Sequence, residues 1–253
     1  MWHLRGPYEI GRETVIKLIE AIRGLRRKPL DADHLLADFG PKSPLTVKLV
    51  GALYRKAANL ERDSRAALLF EDWRRLFRQA TGYDPERLKE LSKLAEEYGI
   101  KGSVNYDALI FSVHTYYALL LKLIAAELSY IYGGGKFYRS YIAELDDAYS
   151  RGGASSLKET LQELESGRIF RKLMSIENFL EGDYFSWYLD VLDDELADQI
   201  AELARRLADY EIATPQLEPE FTRDLLKRLY QDLVPGDLRH RLGEYYTPDW
   251  LAS

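Results

Sequence analysis

Residues 107–132 read DALIFSVHTYYALLLKLIAAELSYIY and form the most apolar stretch of the chain. A helix of this length and composition is long enough to span a bilayer. Lys122 and Glu127 near its middle, together with His114 and the absence of a basic flank, argue against insertion, because charged side chains are costly in a membrane. We therefore predict a central helix buried on most sides, within an all-α, multi-helix, bundle-like domain. His114 has no second histidine near it in sequence, which favours a hydrogen-bonded core histidine over a metal ligand.

The sequence before this stretch is typical of amphipathic helices. Apolar residues recur every three or four positions over about 12–27, and again from Ser43-Pro44 to about residue 60. Ser43 is expected to cap its helix, because a serine hydroxyl accepts from free backbone amides and proline fits the first helical turn. Two more helices are predicted, the first starting at Asp63 or Ser64 and ending at Thr81-Gly82, the second running from Asp84-Pro85 to about Tyr98-Gly99.

Two groups of glycines interrupt the helical pattern in the second half of the chain. Gly133-Gly134-Gly135 is expected to end the central helix, because three glycines lose much backbone entropy when ordered. Residues 151–156 (RGGASS) predict a second soft connection, either a mobile loop or a joint between subdomains. Helices are expected to resume over about 157–166 and 193–210.

An aromatic segment and two prolines complete this part of the sequence. The aromatic residues are interpreted either as core packing or as a surface that receives another domain: Phe179, Tyr184, Phe185, Trp187 and Tyr188. Thr214-Pro215 and Glu218-Pro219 predict an extended linker, because proline disfavours helix at the residue before it.

Charge is distributed unevenly along the 253 residues. Residues 1–78 hold 16 Lys and Arg against 10 Asp and Glu, whereas residues 79–253 hold 19 against 31. The net charge of −6 argues against a stand-alone DNA-binding domain. A basic first third is compatible with one face lying along phosphates, and the alternative is a set of ordinary solvated helix faces.

Several kinds of chemistry are excluded by composition and motif. The chain has no cysteine, which removes disulfides, thiolate metal sites and cysteine nucleophiles, and its four histidines make a histidine metal site unexpected. No lysine has Asp or Glu two residues before it, as a nuclease of the Asp…Glu-x-Lys kind requires, and no Walker, Gly-x-Ser-x-Gly or His-Glu-x-x-His motif occurs. We assign no catalytic and no metal-binding residue. The N-terminus lacks a signal-peptide pattern, so the expected location is cytoplasmic.

The C-terminal residues carry a resemblance. Residues 242–252 read LGEYYTPDWLA and resemble the Gly-x-Tyr/Phe-Tyr/Phe-Thr-Pro segment of adenine-specific (N6) DNA methyltransferases of restriction-modification and phage-defence type. In that family this segment begins the α/β methyltransferase domain. The preceding residues 229–240 (LYQDLVPGDLRH) are similar to the family's lead-in, and residues 70–77 and 177–182 loosely resemble its helical N-terminal regions.

The resemblance implies a division of the chain and a cofactor. It implies a helical N-terminal domain over 1–212, with the soft joint at 150–156, followed by a linker and the start of the methyltransferase domain over 213–253. In the family this segment lies beside the methionine part of S-adenosylmethionine, which implies cofactor contacts for Tyr245, Tyr246, Thr247 and Pro248. From the residues alone, Thr247 is instead the cap of a helix whose first turn contains Pro248.

Two family motifs do not occur in this sequence. They are the cofactor-binding glycine motif of the Asp-Pro-Ala-Cys-Gly-Ser-Gly type and the catalytic Asn/Asp-Pro-Pro-Tyr/Phe motif, which holds the flipped adenine. We therefore expect the N-terminal part of a larger methyltransferase, truncated just before the cofactor-binding motif. Such a part cannot methylate DNA alone and binds S-adenosylmethionine negligibly. Its expected partners are DNA and its own C-terminal methyltransferase domain, and no membrane.

DNA contact is expected to run through the basic first third. The candidate residues follow the first helix or lie on the Trp73 helix: Arg23, Arg26, Arg27, Lys28, Arg74, Arg75 and Arg78. Arginines three or four residues apart on a helix are neighbours and can reach phosphates together. The alternative is that these arginines pair with Glu71, Asp72 and nearby acids on a solvated face. For the chain as a whole, the alternative function is a non-enzymatic helical protein-interaction module.

Overall fold

The computed structural model describes residues 9–11, 14–15, 18, 27–30, 32–81, 90–133, 140–177 and 184–212. Helices occupy most of these residues and strands almost none, which confirms the predicted all-α class. In chain order the elements are β1 (Lys28–Pro29), α1 (Ala32–Phe39), α2 (Pro44–Ala57), α3 (Arg65–Thr81), α4 (Glu90–Glu97), α5 (Tyr106–Gly133), α6 (Tyr141–Glu165), α7 (Arg168–Met174), a 3-10 helix (Tyr184–Val191), α8 (Asp194–Ala208) and β2 (Tyr210–Glu211). Most of the helix predicted over 12–27, and all of the lead-in over 213–253, lie outside the described residues.

Helix α5 lies at the centre of the fold. It packs against α2 and α3, which precede it, and against α6, α7 and the 3-10 helix, which follow it. Leu109, Leu120 and Leu123 are fully buried by these neighbours. Within the described residues, α5 is the helix long and apolar enough to cross a membrane, over Tyr106–Ile131, and 72% of its most apolar window is buried inside the fold. Burial on most sides therefore accounts for its composition.

The other helices bury one apolar stripe each. α8 places leucine, isoleucine and alanine every three or four residues on its inner side, where it packs along α6 and α2. Asp193 caps this helix by accepting from the backbone amide of Leu196 (3.1 Å). The aromatic segment of the 3-10 helix belongs to the same core, because Trp187 and Tyr188 are fully buried.

Two predicted helix starts have different caps. Ser64 accepts from the backbone amide of Ala67 (3.1 Å) and begins α3, as its position predicts. Ser43 stands at the predicted start of α2, before Pro44, but its hydroxyl donates to the backbone carbonyl of Asp38 (2.6 Å) and does not cap the helix. The position was predicted correctly and the hydrogen bond was not.

The soft connection predicted over residues 151–156 is a kink inside α6. The helix is interrupted at Gly152 and Gly153, and Gly153 has a φ of 59° and a ψ of −146°, which are restricted to glycine. Helical hydrogen bonding continues on both sides. The two glycines therefore separate two helical segments that meet at a kink, so the interruption predicted at this place is present.

A short parallel strand pair joins residues 28–29 to residues 210–211. Lys28 lies beside Tyr210 and Pro29 beside Glu211, and the Lys28 amide donates to the carbonyl of Asp209 (2.8 Å). Each strand has two residues, too few to produce an alternating sequence pattern. The pair places the residues that follow the predicted first helix next to those that precede the predicted lead-in.

Candidate functional site

Part of the predicted site falls where no structure is described. Tyr245, Tyr246, Thr247 and Pro248, predicted to lie near S-adenosylmethionine, are outside the described residues, as are Arg23 and Arg26. The described candidates are Arg27 and Lys28 at β1, and Arg74, Arg75 and Arg78 on α3. These two groups sit on elements with different neighbours, because β1 pairs with β2 and α3 packs on α5 and the 3-10 helix.

Helix α3 carries its predicted arginines on the side away from the core. Phe70 and Trp73 point inward and are buried. Arg74 forms an ion pair with Glu71, and Arg75 Nη2 lies 3.0 Å from Asp72 Oδ1. These are the intrahelical pairs that the sequence offers as the alternative to phosphate contact.

Arg78 has a different environment from its neighbours. Its guanidinium pairs with Asp107 in the first turn of α5. Asp107 is buried, and its Oδ1 has no hydrogen-bond partner within the described part of the chain. Arg78 therefore compensates a buried carboxylate and joins two helices.

The β1 cations converge on the strand pair. Lys28 Nζ lies 2.6 Å from Asp38 Oδ2, and Arg27 Nη1 lies 3.8 Å from Glu211 Oε2. The Tyr210 hydroxyl lies 2.8 Å from both Asp38 Oδ2 and the His34 carbonyl, either of which can accept its proton. Burial alone would raise the pKa of the Asp38 carboxyl, but the hydrogen bonds from Lys28 and Tyr210 outweigh it and hold that pKa below its usual value.

Further cations of the basic first third pair with acids far along the chain. Arg65 Nη1 lies 2.8 Å from Asp190 Oδ2, and the other pairs are Arg55 with Glu195 and Lys56 with Asp193. The positive and negative parts of the sequence therefore face each other in the fold. No sequence signal marks these partners, because they are separated by more than a hundred residues.

His114 lies in an aromatic cluster. Its ring meets Trp73 and Phe77 edge to face, with centroids 5.8 and 5.4 Å away. Burial lowers the pKa of His114 to about 4, so the imidazole is neutral at pH 7. This environment agrees with the core location predicted from the sequence, and the hydrogen bond predicted for His114 stays a prediction.

Many charged side chains of the described residues form ion pairs within or between elements. Among those residues, no three His, Asp or Glu side chains are grouped as a metal site would need. These ion pairs neutralise charge between elements. Arg27 and Lys28 place cations at β1, and Arg74 and Arg75 place cations on α3. No protein-family model, curated protein or solved structure matches this chain.

Proposed function

We propose that this chain is the N-terminal helical region of an S-adenosylmethionine-dependent adenine-N6 DNA methyltransferase of restriction-modification or phage-defence type. The observation that carries the proposal is the run of residues 243–248 (GEYYTP), which resembles the first segment of that family's methyltransferase domain. In this role the region braces the catalytic domain in the cytoplasm and lines part of the DNA path. No chemical step is assigned to its residues.

The bracing role is supported by the burial of the last described residues, Tyr210 and Ile212. Tyr210 is buried and packs its ring against Phe39, with centroids 5.6 Å apart, and Ile212 is buried beyond it. The residues from 213 onward therefore start from a point anchored in the helical core. A fixed starting point is what a domain needs if it is to orient the one that follows.

The DNA role is supported by the position of the β1 cations. Lys28 lies next to Tyr210 of β2, so these basic residues stand beside the last described residues before the predicted linker. Contacts from such residues to phosphates position a duplex and do not read its bases. We therefore expect backbone contacts without sequence preference from this region.

The parent reading frame tests the proposal. We expect the codons after Ser253 to encode the glycine-rich cofactor motif and then Asn/Asp-Pro-Pro-Tyr/Phe. The full frame should transfer a labelled methyl group from S-adenosylmethionine to adenine in DNA, and a version lacking residues 1–212 should lose this activity. A stop codon directly after Ser253 would overturn the proposal.

A second candidate function is a non-enzymatic helical protein-interaction module. It is favoured by Leu68 and Leu76, which lie on α3 with 59% and 44% of their surface exposed. Exposed leucines on a helix are suited to binding another protein. Substitution of both by serine should leave methylation by the full frame intact if the methyltransferase proposal holds.

A further inference from the structure

Lys28 has an ion-pair partner in the fold and a predicted role in DNA contact, and the two exclude each other. It is one of the residues predicted to contact DNA, and its ammonium is also engaged by Asp38 at 2.6 Å. The Lys28 side chain is 40% exposed and that of Asp38 is 18% exposed, so an external anion can approach the cation from solvent. One ammonium cannot make its full set of contacts to Asp38 and to a phosphate at once.

The pairing of β1 with β2 rests on this ion pair as well as on the backbone hydrogen bonds of the strands. Each strand has two residues, which gives few backbone hydrogen bonds and low local stability. Asp38 accepts from Lys28 on β1 and is also 2.8 Å from the Tyr210 hydroxyl on β2, so it links the two strands through side chains. Other charged groups at this place are Arg27, paired with Glu211, and Arg206, which acts on Asp38 through space.

The two strands are anchored to different degrees. Tyr210 keeps its buried ring and a second acceptor, the His34 carbonyl, whatever happens to Lys28. β1 is held by the Lys28 contacts, the Arg27 pair at 3.8 Å and the buried side chain of Leu30. Breaking the Lys28–Asp38 ion pair therefore loosens β1 and leaves β2 in place.

We propose that Asp38 and a phosphate of the nucleic-acid backbone compete for Lys28, so that DNA contact at β1 loosens its pairing with β2. The inference rests on the proposed function, in which DNA passes this surface. Because linkage is reciprocal, any change that frees Lys28 from Asp38 strengthens DNA binding, and DNA binding weakens the strand pair. The contact between β1 and β2 thereby responds to DNA.

Two substitutions separate this competition from simple loss of structure. Asp38→Asn frees Lys28, whereas Lys28→Met removes the cation. Both should speed exchange of the backbone amides of residues 28 and 30 by about tenfold, because each removes a charge-assisted hydrogen bond. Pro29 between them carries no amide hydrogen. Their effects on DNA should be opposite: Asp38→Asn strengthens binding of a duplex of about 20 base pairs, and Lys28→Met weakens it and lowers the salt slope by about one unit.

The experiment uses the 253-residue chain and hydrogen exchange with and without the duplex. Added duplex should speed exchange of the backbone amides of residues 28 and 30 in the wild type and leave it unchanged in Lys28→Met. Tyr130→Phe is the control, because it removes one hydroxyl contact, to Glu144 at 2.8 Å, far along the chain from β1. It should change neither exchange at β1 nor DNA affinity.

Several outcomes would overturn the inference. The first is a duplex that slows exchange of the amides of residues 28 and 30. The second is a shift of DNA affinity in the same direction for both variants, and the third is a duplex that does not bind the wild type at all. None of these outcomes decides the parentage of the chain, which the downstream motifs test separately. If the reading frame encodes those motifs and β1 does not respond to DNA, the proposed function holds. The competition between Asp38 and phosphate for Lys28 is then excluded.

Discussion

Lys122 Nζ, in the middle of α5, lies 2.6 Å from Glu165 Oε2 at the end of α6, and the two side chains are only 7% and 3% exposed. The second oxygen of Glu165 accepts from the Tyr188 hydroxyl of the 3-10 helix (2.8 Å). One carboxylate therefore joins three elements of the core. It also explains how a lysine is accommodated in the most apolar stretch of the sequence.

Breaking this ion pair from one side should be strongly destabilising. Lys122→Met leaves the Glu165 carboxylate buried without its cation, and we expect the free energy of unfolding to fall by about 3 kcal/mol or more. The double variant Lys122→Met/Glu165→Gln removes both charges and keeps an acceptor for Tyr188, so it should recover a large part of that loss. Urea unfolding of the wild type, both single variants and the double variant measures the coupling. Equal losses in the single and double variants would contradict the expectation.

His114 should make the protein less stable in acid. Its pKa is about 4 in the folded state and near the ordinary value of 6.5 when unfolded, so the unfolded chain binds more protons between these pH values. The free energy of unfolding should therefore fall as pH drops through this range, with a contribution from His114 of about 3 kcal/mol. This contribution is fully present above pH 6.5 and lost towards pH 4.

The neutral variant His114→Gln isolates this effect. Between about pH 7 and pH 4, its stability should fall by about 3 kcal/mol less than that of the wild type. His34→Gln is the matched control, because it makes the same side-chain change at an exposed histidine of α1, outside the aromatic cluster. Urea unfolding at a series of pH values makes the comparison, and parallel curves for His114→Gln and wild type would disprove the assignment.

Gly153 should tolerate no side chain. Its φ of 59° with ψ of −146° is a combination that only glycine adopts readily, so Gly153→Ala should destabilise the protein by about 1–3 kcal/mol although no atom blocks the new methyl group. Gly51 in α2 is the control. Its added Cβ would lie 3.6 Å from Arg55 Nη1, an ordinary contact, and Gly51→Ala should be neutral or stabilise by up to about 1 kcal/mol. Thermal unfolding of both variants tests the contrast.

The α3 arginines should separate into structural and surface residues. Arg78→Ala leaves Asp107 buried without its cation and should destabilise by about 2–3 kcal/mol. Arg75→Ala removes a side chain that is 73% exposed and should change stability by no more than about 0.5 kcal/mol. Stability therefore has to be measured together with DNA affinity for any variant that includes Arg78.

The DNA contribution of α3 is best tested with Arg74 and Arg75. In the full-length protein, Arg74→Ala/Arg75→Ala should weaken duplex binding and reduce the salt slope by about one unit for each phosphate that is no longer neutralised. The isolated 253-residue chain should bind DNA weakly, at or below the non-specific range of about 10⁻⁴–10⁻⁶ M. An unchanged affinity and salt slope in the full-length double variant would remove α3 from the DNA path.

The isolated chain should bind S-adenosylmethionine negligibly. In the family that residues 242–252 resemble, the main cofactor contacts come from the glycine motif and a following acidic residue, and no such glycine motif occurs in the sequence. Titration calorimetry with the 253-residue chain tests this expectation. Micromolar binding would contradict it and would direct attention to Tyr245, Tyr246, Thr247 and Pro248.

Local sequence signals predicted most of the described helices. Proline after Ser43, Ser64 before α3 and Asp193 before α8 all stand where helices begin, because capping and first-turn preferences act over a few residues. The kink at Gly152 and Gly153 was only half predicted. Glycines indicate a break, but whether the helix resumes immediately depends on what its two halves pack against.

The partners of the charged residues could not be predicted. Lys56 pairs with Asp193, which lies 137 residues further along the chain. Lys28 pairs with Asp38, which is only 10 residues away but lies on a different element. Sequence spacing can predict only the i,i+3 pairs among the described residues, such as Arg75 with Asp72 on α3 and Arg205 with Glu202 on α8. The strand pair formed by Lys28–Pro29 and Tyr210–Glu211 is likewise a tertiary contact with no local signal.

The position of α5 also bears on the order in which the protein is synthesised. α2 and α3 are translated before it, whereas α6, α7 and the 3-10 helix, which cover its other sides, are translated afterwards. While this part of the chain emerges from the ribosome and α6 has not yet packed against it, the segment Tyr106–Ile131 has the length and apolarity of a membrane span and lacks these later covers. Lys122 and Glu127 already raise the cost of insertion at that stage, before Glu165 has come into contact with Lys122. Lys122 therefore opposes insertion of the nascent helix and, in the folded protein, binds α6.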